Sequence, residues 1–172
     1  KKEMTVEVYV SADEKNYTLV EQYPILAPSG TLGPKTLEGD MQIPEGIYKI
    51  EFLNPNSRYH LSMKINYPNE FERKKSEEEN RIYPGSDIFI HGSNASIGCV
   101  SIGDGPIEDI FVLAAKTKIQ NVAVIISPYD FRKTASIDIE MIRYLNPEIP
   151  TWSKELYRMI ETKISEIKFQ DK

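Results

Sequence analysis

Apolar and polar positions alternate through the first third of the chain. Thr5-Val6-Glu7-Val8-Tyr9-Val10 and Tyr17-Thr18-Leu19-Val20-Glu21-Gln22-Tyr23 both repeat with period two, which predicts an opening antiparallel pair joined around Asp13-Glu14-Lys15-Asn16. Residues 28–40 are dense in turn formers, and Ile43-Pro44-Glu45-Gly46 closes that loop ahead of a third strand, Ile47-Tyr48-Lys49-Ile50-Glu51-Phe52. Alternation returns in residues 58–67 as a fourth strand, and Pro68 stops further ladder pairing. From Glu70 to Ser86 the chain is crowded with charge and lacks an apolar period, so it predicts an exposed loop, a mobile flap before the next strand. Asp87-Ile88-Phe89-Ile90 is a short apolar run that delivers His91-Gly92. A helix is predicted over Pro106–Ala115, with proline in its first turn and acids near its positive end.

The continuous apolar run Val122-Ala123-Val124-Ile125-Ile126 predicts a central strand covered on both faces, where the sheet ends. Beyond Pro128 the period changes. Met141-Ile142-Arg143-Tyr144-Leu145, then Trp152, Leu156, Met159, Ile160, Ile164 and Ile167, recur at helical spacing and predict C-terminal helices packed by that stripe. The fold class is therefore mainly β with α, an α+β antiparallel β domain with a helix after the His91–Cys99 segment and helices at the C-terminus. A single domain over 1–172 is expected, with its core at about 5–130 and a helical extension at about 131–172.

Composition narrows the function. Hydrophobic residues make up 40% and charged residues 27%, which is globular, and a formal charge of −5 offers no basic field for nucleic acid. No run approaches the roughly 20 apolar residues of a membrane helix. The opening Lys1-Lys2-Glu3, with no initiator Met, reads as a trimmed N-terminus, which a removed signal peptide and an artificially chosen chain boundary would each leave. A single cysteine excludes both an intramolecular disulfide and a thiolate cluster for zinc or iron.

That cysteine carries the candidate chemistry. In His91-Gly92-Ser93-Asn94-Ala95-Ser96-Ile97-Gly98-Cys99-Val100-Ser101, one of only two histidines stands eight positions before the only cysteine. A thiol needs a base at neutral pH, and an imidazole can take its proton and stabilise the thiolate as an ion pair. Gly98 permits a tight backbone path, which can aim amides near Cys99 at a developing oxyanion. The bland alternative is a buried, inert thiol beside a glycine turn.

His-Gly followed by Ser-x-Gly-Cys resembles the signature of the L,D-transpeptidase catalytic domain, the YkuD family, and is most similar to its YafK-like branch. Also similar are Ser29-Gly30-x-Leu32-Gly33-Pro34-Lys35, Glu38-Gly39-Asp40-x-Gln42-x-Pro44-Glu45-Gly46, Asn54-Pro55-Asn56-Ser57-Arg58-Tyr59-His60-Leu61-Ser62, Asn66-Tyr67-Pro68-Asn69 and Asp104, so the resemblance spans roughly residues 5 to 130. It implies Cys99 as nucleophile, His91 as general base and the Gly92 carbonyl as the group that orients the imidazole. It also implies attack on the carbonyl of meso-diaminopimelate in a peptidoglycan stem peptide, a thioester, and acyl transfer to an amine or to water, in the periplasm or cell envelope. No metal or organic cofactor is implied, and the expected partners are stem peptides and wall-linked lipoprotein.

Two positions depart from the wider family: Ile97 stands where many members have a second His, and Ser101 where many have Arg. Both fit the YafK-like branch and point to hydrolysis, as an L,D-carboxypeptidase or a lipoprotein-releasing amidase. Cross-linking transpeptidation is the alternative, and an inactive wall-binding module is the competing class. A papain-like protease is disfavoured, because such enzymes place His far downstream of Cys. Candidates for substrate binding are Arg58, a bidentate partner for a carboxylate, with His60, Ser62, Tyr67, Ser96 and Gly98. Asp104, Glu108 and Asp109 read as helix N-terminal charge.

Overall fold

The computed structural model describes residues 1–133, 142–144 and 146–170, so Met141 and Leu145 of the predicted C-terminal stripe lie outside the described residues. Strands β1 (Thr5–Val10) and β2 (Asn16–Pro24) pair antiparallel from Thr5 opposite Pro24 to Val10 opposite Thr18. The Asp13 carboxylate organises their turn by accepting from the amides of Lys15 (2.9 Å) and Asn16 (2.8 Å).

A second sheet has five strands. Its members are β3 (Gly46–Ser57), β4 (His60–Ile65), β5 (Phe89–His91), β6 (Val100–Ser101) and β7 (Ala123–Ile126), in the order β6-β5-β4-β3-β7. Only the β5–β6 pair is parallel. Strand β7 is therefore an edge strand and only half-buried, not the central strand its apolar run suggested. Its composition has a different cause. Val124 and Ile126 pack on one apolar cluster and Ile125 on another, so both faces are covered although one edge has no strand partner among the described residues.

The sheet surface does not end at β7 either. After the last helix, β8 (Lys168–Gln170) adds to β2 in parallel and completes a three-stranded sheet. At three residues it is too short to carry a periodic signal.

The first core lies between the five-stranded sheet and α2 (Asp104–Thr117), where Ile107, Ile110 and Ala114 pack against Ile50, Met63, Ile65, Ile90 and Val100. The second gathers Phe131, Ile142, Ile149 and Trp152 with Leu156, Tyr157 and Ile160 of the C-terminal helix. The buried carboxylate of Glu45 links that helix to the long loop before β3, accepting from the Gly33 amide (2.9 Å) and the Tyr157 hydroxyl (2.7 Å) and pairing with Lys1 Nζ (3.1 Å).

The segment predicted as an exposed flap is in its first half a helix, α1 (Glu70–Glu78). Asn69 caps it, accepting from the Phe71 amide at 2.8 Å while the Glu72 carboxylate accepts from the Asn69 amide at 2.7 Å, a complete capping box. Glu72 is buried and also accepts from the Tyr48 hydroxyl at 2.6 Å. Phe71 meets Trp152 edge-on at 5.7 Å, and Trp152 Nε1 donates to Glu79 at 2.8 Å. Termini and polar contacts hold this helix, so it has no apolar stripe to read. The helix that follows Trp152, α3 (Ser153–Ser165), has the predicted stripe, with Leu156 and Ile160 buried, Ile164 packed beside them and Met159 exposed.

Candidate active site

Strand register sets His91 at the end of β5, and the loop that ends in Cys99 enters β6 beside it. Phe52 of β3 lies opposite Lys64 of β4, which lies opposite Phe89 of β5, and Cys99 precedes Val100, the partner of Ile90. Asn54, Ser62, His91 and Ser101 form the neighbouring row, two residues along each strand. Because side chains alternate, these two rows share a face, while Leu53, Met63, Ile90 and Val100 point into the core. The nucleophile candidate stands immediately before β6, beside the strand that ends in the base candidate, and its sulfur reaches that strand at the Phe89 amide, 3.4 Å away.

The imidazole is held by its own neighbour. His91 Nδ1 lies 2.6 Å from the Gly92 carbonyl oxygen, and a carbonyl can only accept, so Nδ1 carries the proton and Nε2 the lone pair. His91 is 2% exposed, and burial pushes it below its ordinary value of 6.5, against the upward pull of the Gly92 carbonyl. The Tyr59 ring lies over it with centroids 4.7 Å apart and planes tilted by 35°.

The thiol is also neutral at rest. Cys99 Sγ accepts from the Phe89 amide at 3.4 Å and donates to the Asp87 carbonyl at 3.8 Å. Burial pushes it above its ordinary 9.0, helped by the Asp87 carboxylate and opposed by the Phe89 amide and the Lys35 ammonium. Among the described residues no hydrogen bond joins Cys99 to His91, and both shifts run against the thiolate–imidazolium pair that the sequence suggested. The directions of the two shifts favour a thiol beside a neutral imidazole at neutral pH.

Glycines and loops set the surroundings. A Cβ on Gly92 would lie 2.7 Å from the Tyr59 carbonyl and 2.6 Å from Asp104 Oδ1, so the hairpin tip can close over the His91 loop only above a glycine. Gly98 takes φ +124 where the loop passes the Gln42 backbone. Asp104 accepts from the Ser93 amide at 2.7 Å, and the buried Ser101 hydroxyl donates to the Ser93 carbonyl at 2.7 Å. On the far side, Asp40 accepts from the Thr36, Leu37 and Gln42 amides, each at 3.0 Å, and pairs with Lys35 at 2.5 Å. Burial would raise the Asp40 carboxyl, but Lys35 and those amides outweigh it and hold it low.

The remaining candidates separate. Ser62 is buried directly across from His91. Ser96 donates from its hydroxyl to the Cys99 carbonyl at 2.6 Å, so it braces the loop. Arg58 is exposed at the β3–β4 hairpin tip. His60 begins β4 at φ +72, with Nε2 2.6 Å from Glu108 Oε1. Tyr67 does not line a groove: it is 4% exposed, its hydroxyl faces the carbonyls of Lys35 (3.2 Å) and Pro84 (2.8 Å), and its ring meets Tyr48 edge-on. A polar tip on a strand-end aromatic marks a buried hydrogen bond as readily as a ligand contact.

Of the acids read as helix charge, Glu108 meets His60, and Asp109 accepts from the Tyr23 hydroxyl at 3.0 Å. Tyr59 was not foreseen, because stacking across a hairpin tip leaves no periodic trace. Among the described residues no group of three or more His, Cys, Asp or Glu side chains is arranged to hold a metal ion, and no helix is long and apolar enough to cross a membrane.

Comparison with known proteins gives consistent results. Residues 5–126 match the YkuD family, described as the L,D-transpeptidase catalytic domain. The chain is 36% identical over 137 residues to the Escherichia coli K12 protein named "Putative L,D-transpeptidase YafK", covering 78% of this chain and 53% of that protein. It thus spans about half the length of that curated relative. Among solved structures, the helical cell shape determining protein Pgp2 from Campylobacter jejuni aligns with TM-score 0.59 and 22% identity, over 76% of this chain and 46% of that one. Bd1075 of Bdellovibrio bacteriovorus aligns with TM-score 0.53 and 18% identity, over 96% of this chain and 53% of that one. Those two likenesses establish the α+β fold.

Proposed function

Because this chain belongs to the L,D-transpeptidase catalytic domain (YkuD) family, we propose that it is a cysteine-dependent acyl-transfer enzyme of the cell envelope, acting mainly as a hydrolase on peptidoglycan stem peptides. The observation that carries the proposal is the placement of Cys99 at the entry to β6, beside the strand that ends in His91, with His91 Nδ1 engaged by the Gly92 carbonyl at 2.6 Å and Nε2 left to act as the base.

In this reading, Cys99 Sγ attacks the diaminopimelate carbonyl as its proton passes to His91 Nε2. Amides of the turn at Gly98 and Cys99 meet the oxyanion. The tetrahedral adduct collapses as the imidazolium returns that proton to the leaving amine, and a thioester remains on Sγ. Water then attacks, giving its proton to Nε2; the thioester breaks, a carboxylic acid leaves and the thiol is restored.

Water as the acceptor is supported by two side chains. Ser101 is fully buried and donates to the Ser93 carbonyl, so that position brings no cation to the cleft. Ile97 is 82% exposed and offers no second imidazole for an incoming amine. The substrates that fit are a tetrapeptide losing its terminal D-Ala, or a lipoprotein joined through diaminopimelate. Incubation with purified disaccharide tetrapeptide, read by mass, tests the reading: tripeptide is expected, with little cross-linked dimer. Spectra dominated by diaminopimelate-to-diaminopimelate dimers would restore transpeptidation, and absence of any product would favour a wall-binding module.

A further inference from the structure

The β3–β4 hairpin tip folds over the loop that carries the proposed base. Three contacts define this closure. The Tyr59 ring covers one face of the His91 imidazole at 4.7 Å, the Tyr59 carbonyl approaches where a Cβ on Gly92 would be, and His60 Nε2 meets Glu108 of α2 at 2.6 Å. The Tyr59 amide also donates to Ser57 Oγ at 3.1 Å, fixing the turn, and His60 holds the positive φ of +72 that the tight closure requires.

We propose that Tyr59 is a positioning residue for His91, fixing the plane of the imidazole and excluding water from one face, and that the His60–Glu108 contact clamps the hairpin tip that carries it. The proposal rests on His91 being the base. Tyr59 is 47% exposed, so its outer face is open while its inner face is spent on the imidazole. A structural aromatic would be expected inside the core, whereas this ring touches the site and little of the core depends on it. The Gly92 carbonyl fixes one ring nitrogen, but a single hydrogen bond leaves the ring free to rock about it. A flat surface against one face removes that freedom.

The consequence for proton affinity follows from burial. Charged and titratable groups around the loop are Tyr59 and His60 from the hairpin tip, Asp104 and Glu108 from α2, and Cys99 at the entry to β6. Burial displaces His91 downward, against the upward pull of the Gly92 carbonyl. Opening the covered face admits water and favours the charged ring.

The test needs no substrate, which separates it from the proposed reaction. The chain has two histidines, so imidazole C–H signals can be followed by NMR against pH, with His91→Gln identifying the one that belongs to His91. In Tyr59→Ala the His91 titration should move upward toward 6.5, in Tyr59→Phe it should stay in place, and in Glu108→Gln it should move the same way by less. With tetrapeptide as substrate, Tyr59→Ala should lower kcat by about 10- to 100-fold with a smaller change in KM, and Tyr59→Phe should restore it. A thermal melt shows whether each variant is folded. A His91 titration unchanged in folded Tyr59→Ala, or displaced equally in Tyr59→Phe, overturns the proposal.

Discussion

His91 Nδ1 and the carbonyl oxygen of Gly92 are 2.6 Å apart, a contact between sequence neighbours that decides which nitrogen of the ring can accept a proton. Nδ1 must donate, so Nε2 carries the lone pair and is the atom the proposed reaction uses as its base. The ring is also buried, which lowers its proton affinity below the ordinary 6.5.

That burial sets the pH dependence. In the proposed reaction His91 acts when neutral, so kcat/KM should hold steady as pH falls to 6.5 and decline only below it, through the lowered value for His91. Stability moves in the same sense. The unfolded chain takes up the proton first, so stability from this group diminishes as pH drops from 6.5 toward the folded value. An acid limb at or above 6.5 would argue that the ring is solvated in the working enzyme.

Alkylation of Cys99 should be slow for the matching reason. Burial raises the thiol above 9.0, so iodoacetamide at pH 7 should react more slowly with the folded protein than with free cysteine, and the rate should climb past pH 9. A fast reaction at pH 7, flat between pH 6 and 8, would indicate a preformed thiolate.

Gly92→Ala should impair turnover far more than folding. Its Cβ would come 2.7 Å from the Tyr59 carbonyl, which is backbone and must move, so the hairpin tip and the imidazole would shift together. A loss of about 100-fold in kcat is expected, since displacements near 1 Å at a reacting group cost that much. Turnover within threefold of native would show that the closure over His91 is slack.

Asn69→Ala should destabilise the chain without touching the chemistry. Removing the cap leaves the first amides of α1 without their acceptor, at about 1 kcal/mol, equivalent to a Tm lower by about 2–4 °C. Activity on tetrapeptide should be unchanged. A large kinetic effect would return this segment to the role of a flap at the site.

The sequence carried much of this architecture, and its failures have physical causes. Strands β3 and β4 alternate because Tyr48, Ile50, Met63 and Ile65 face the core, β1 and β2 lay Val6, Val8 and Tyr23 against it, and α3 shows its stripe because Leu156 and Ile160 face a core. Helix α1 was unreadable by period because only Phe71 packs apolar surface while Glu72 and Lys75 are buried through polar contacts. Its capping pair, Asn69 and Glu72, was the signal available. Strand β7 misled because coverage of both faces gives the same composition at an edge as at the centre.

At the site, His91, Gly92 and Cys99 stood out through the His-Gly and Ser-x-Gly-Cys motifs. Tyr67 was misassigned because a strand-end tyrosine does not announce whether its hydroxyl is spent on buried carbonyls. The absence of a resting Cys99–His91 pair could not be read from an eight-residue spacing.

The account stands most directly on the identity of the acylated atom. Intact-protein mass spectrometry after rapid mixing with disaccharide tetrapeptide should show a transient adduct of the acyl tripeptide, labile to hydroxylamine and located on Cys99 by peptide mapping. Cys99→Ala should show neither adduct nor product while keeping the native melting profile, and His91→Ala should likewise yield no product. An adduct on another side chain, or tripeptide released by Cys99→Ala, would contradict the assignment.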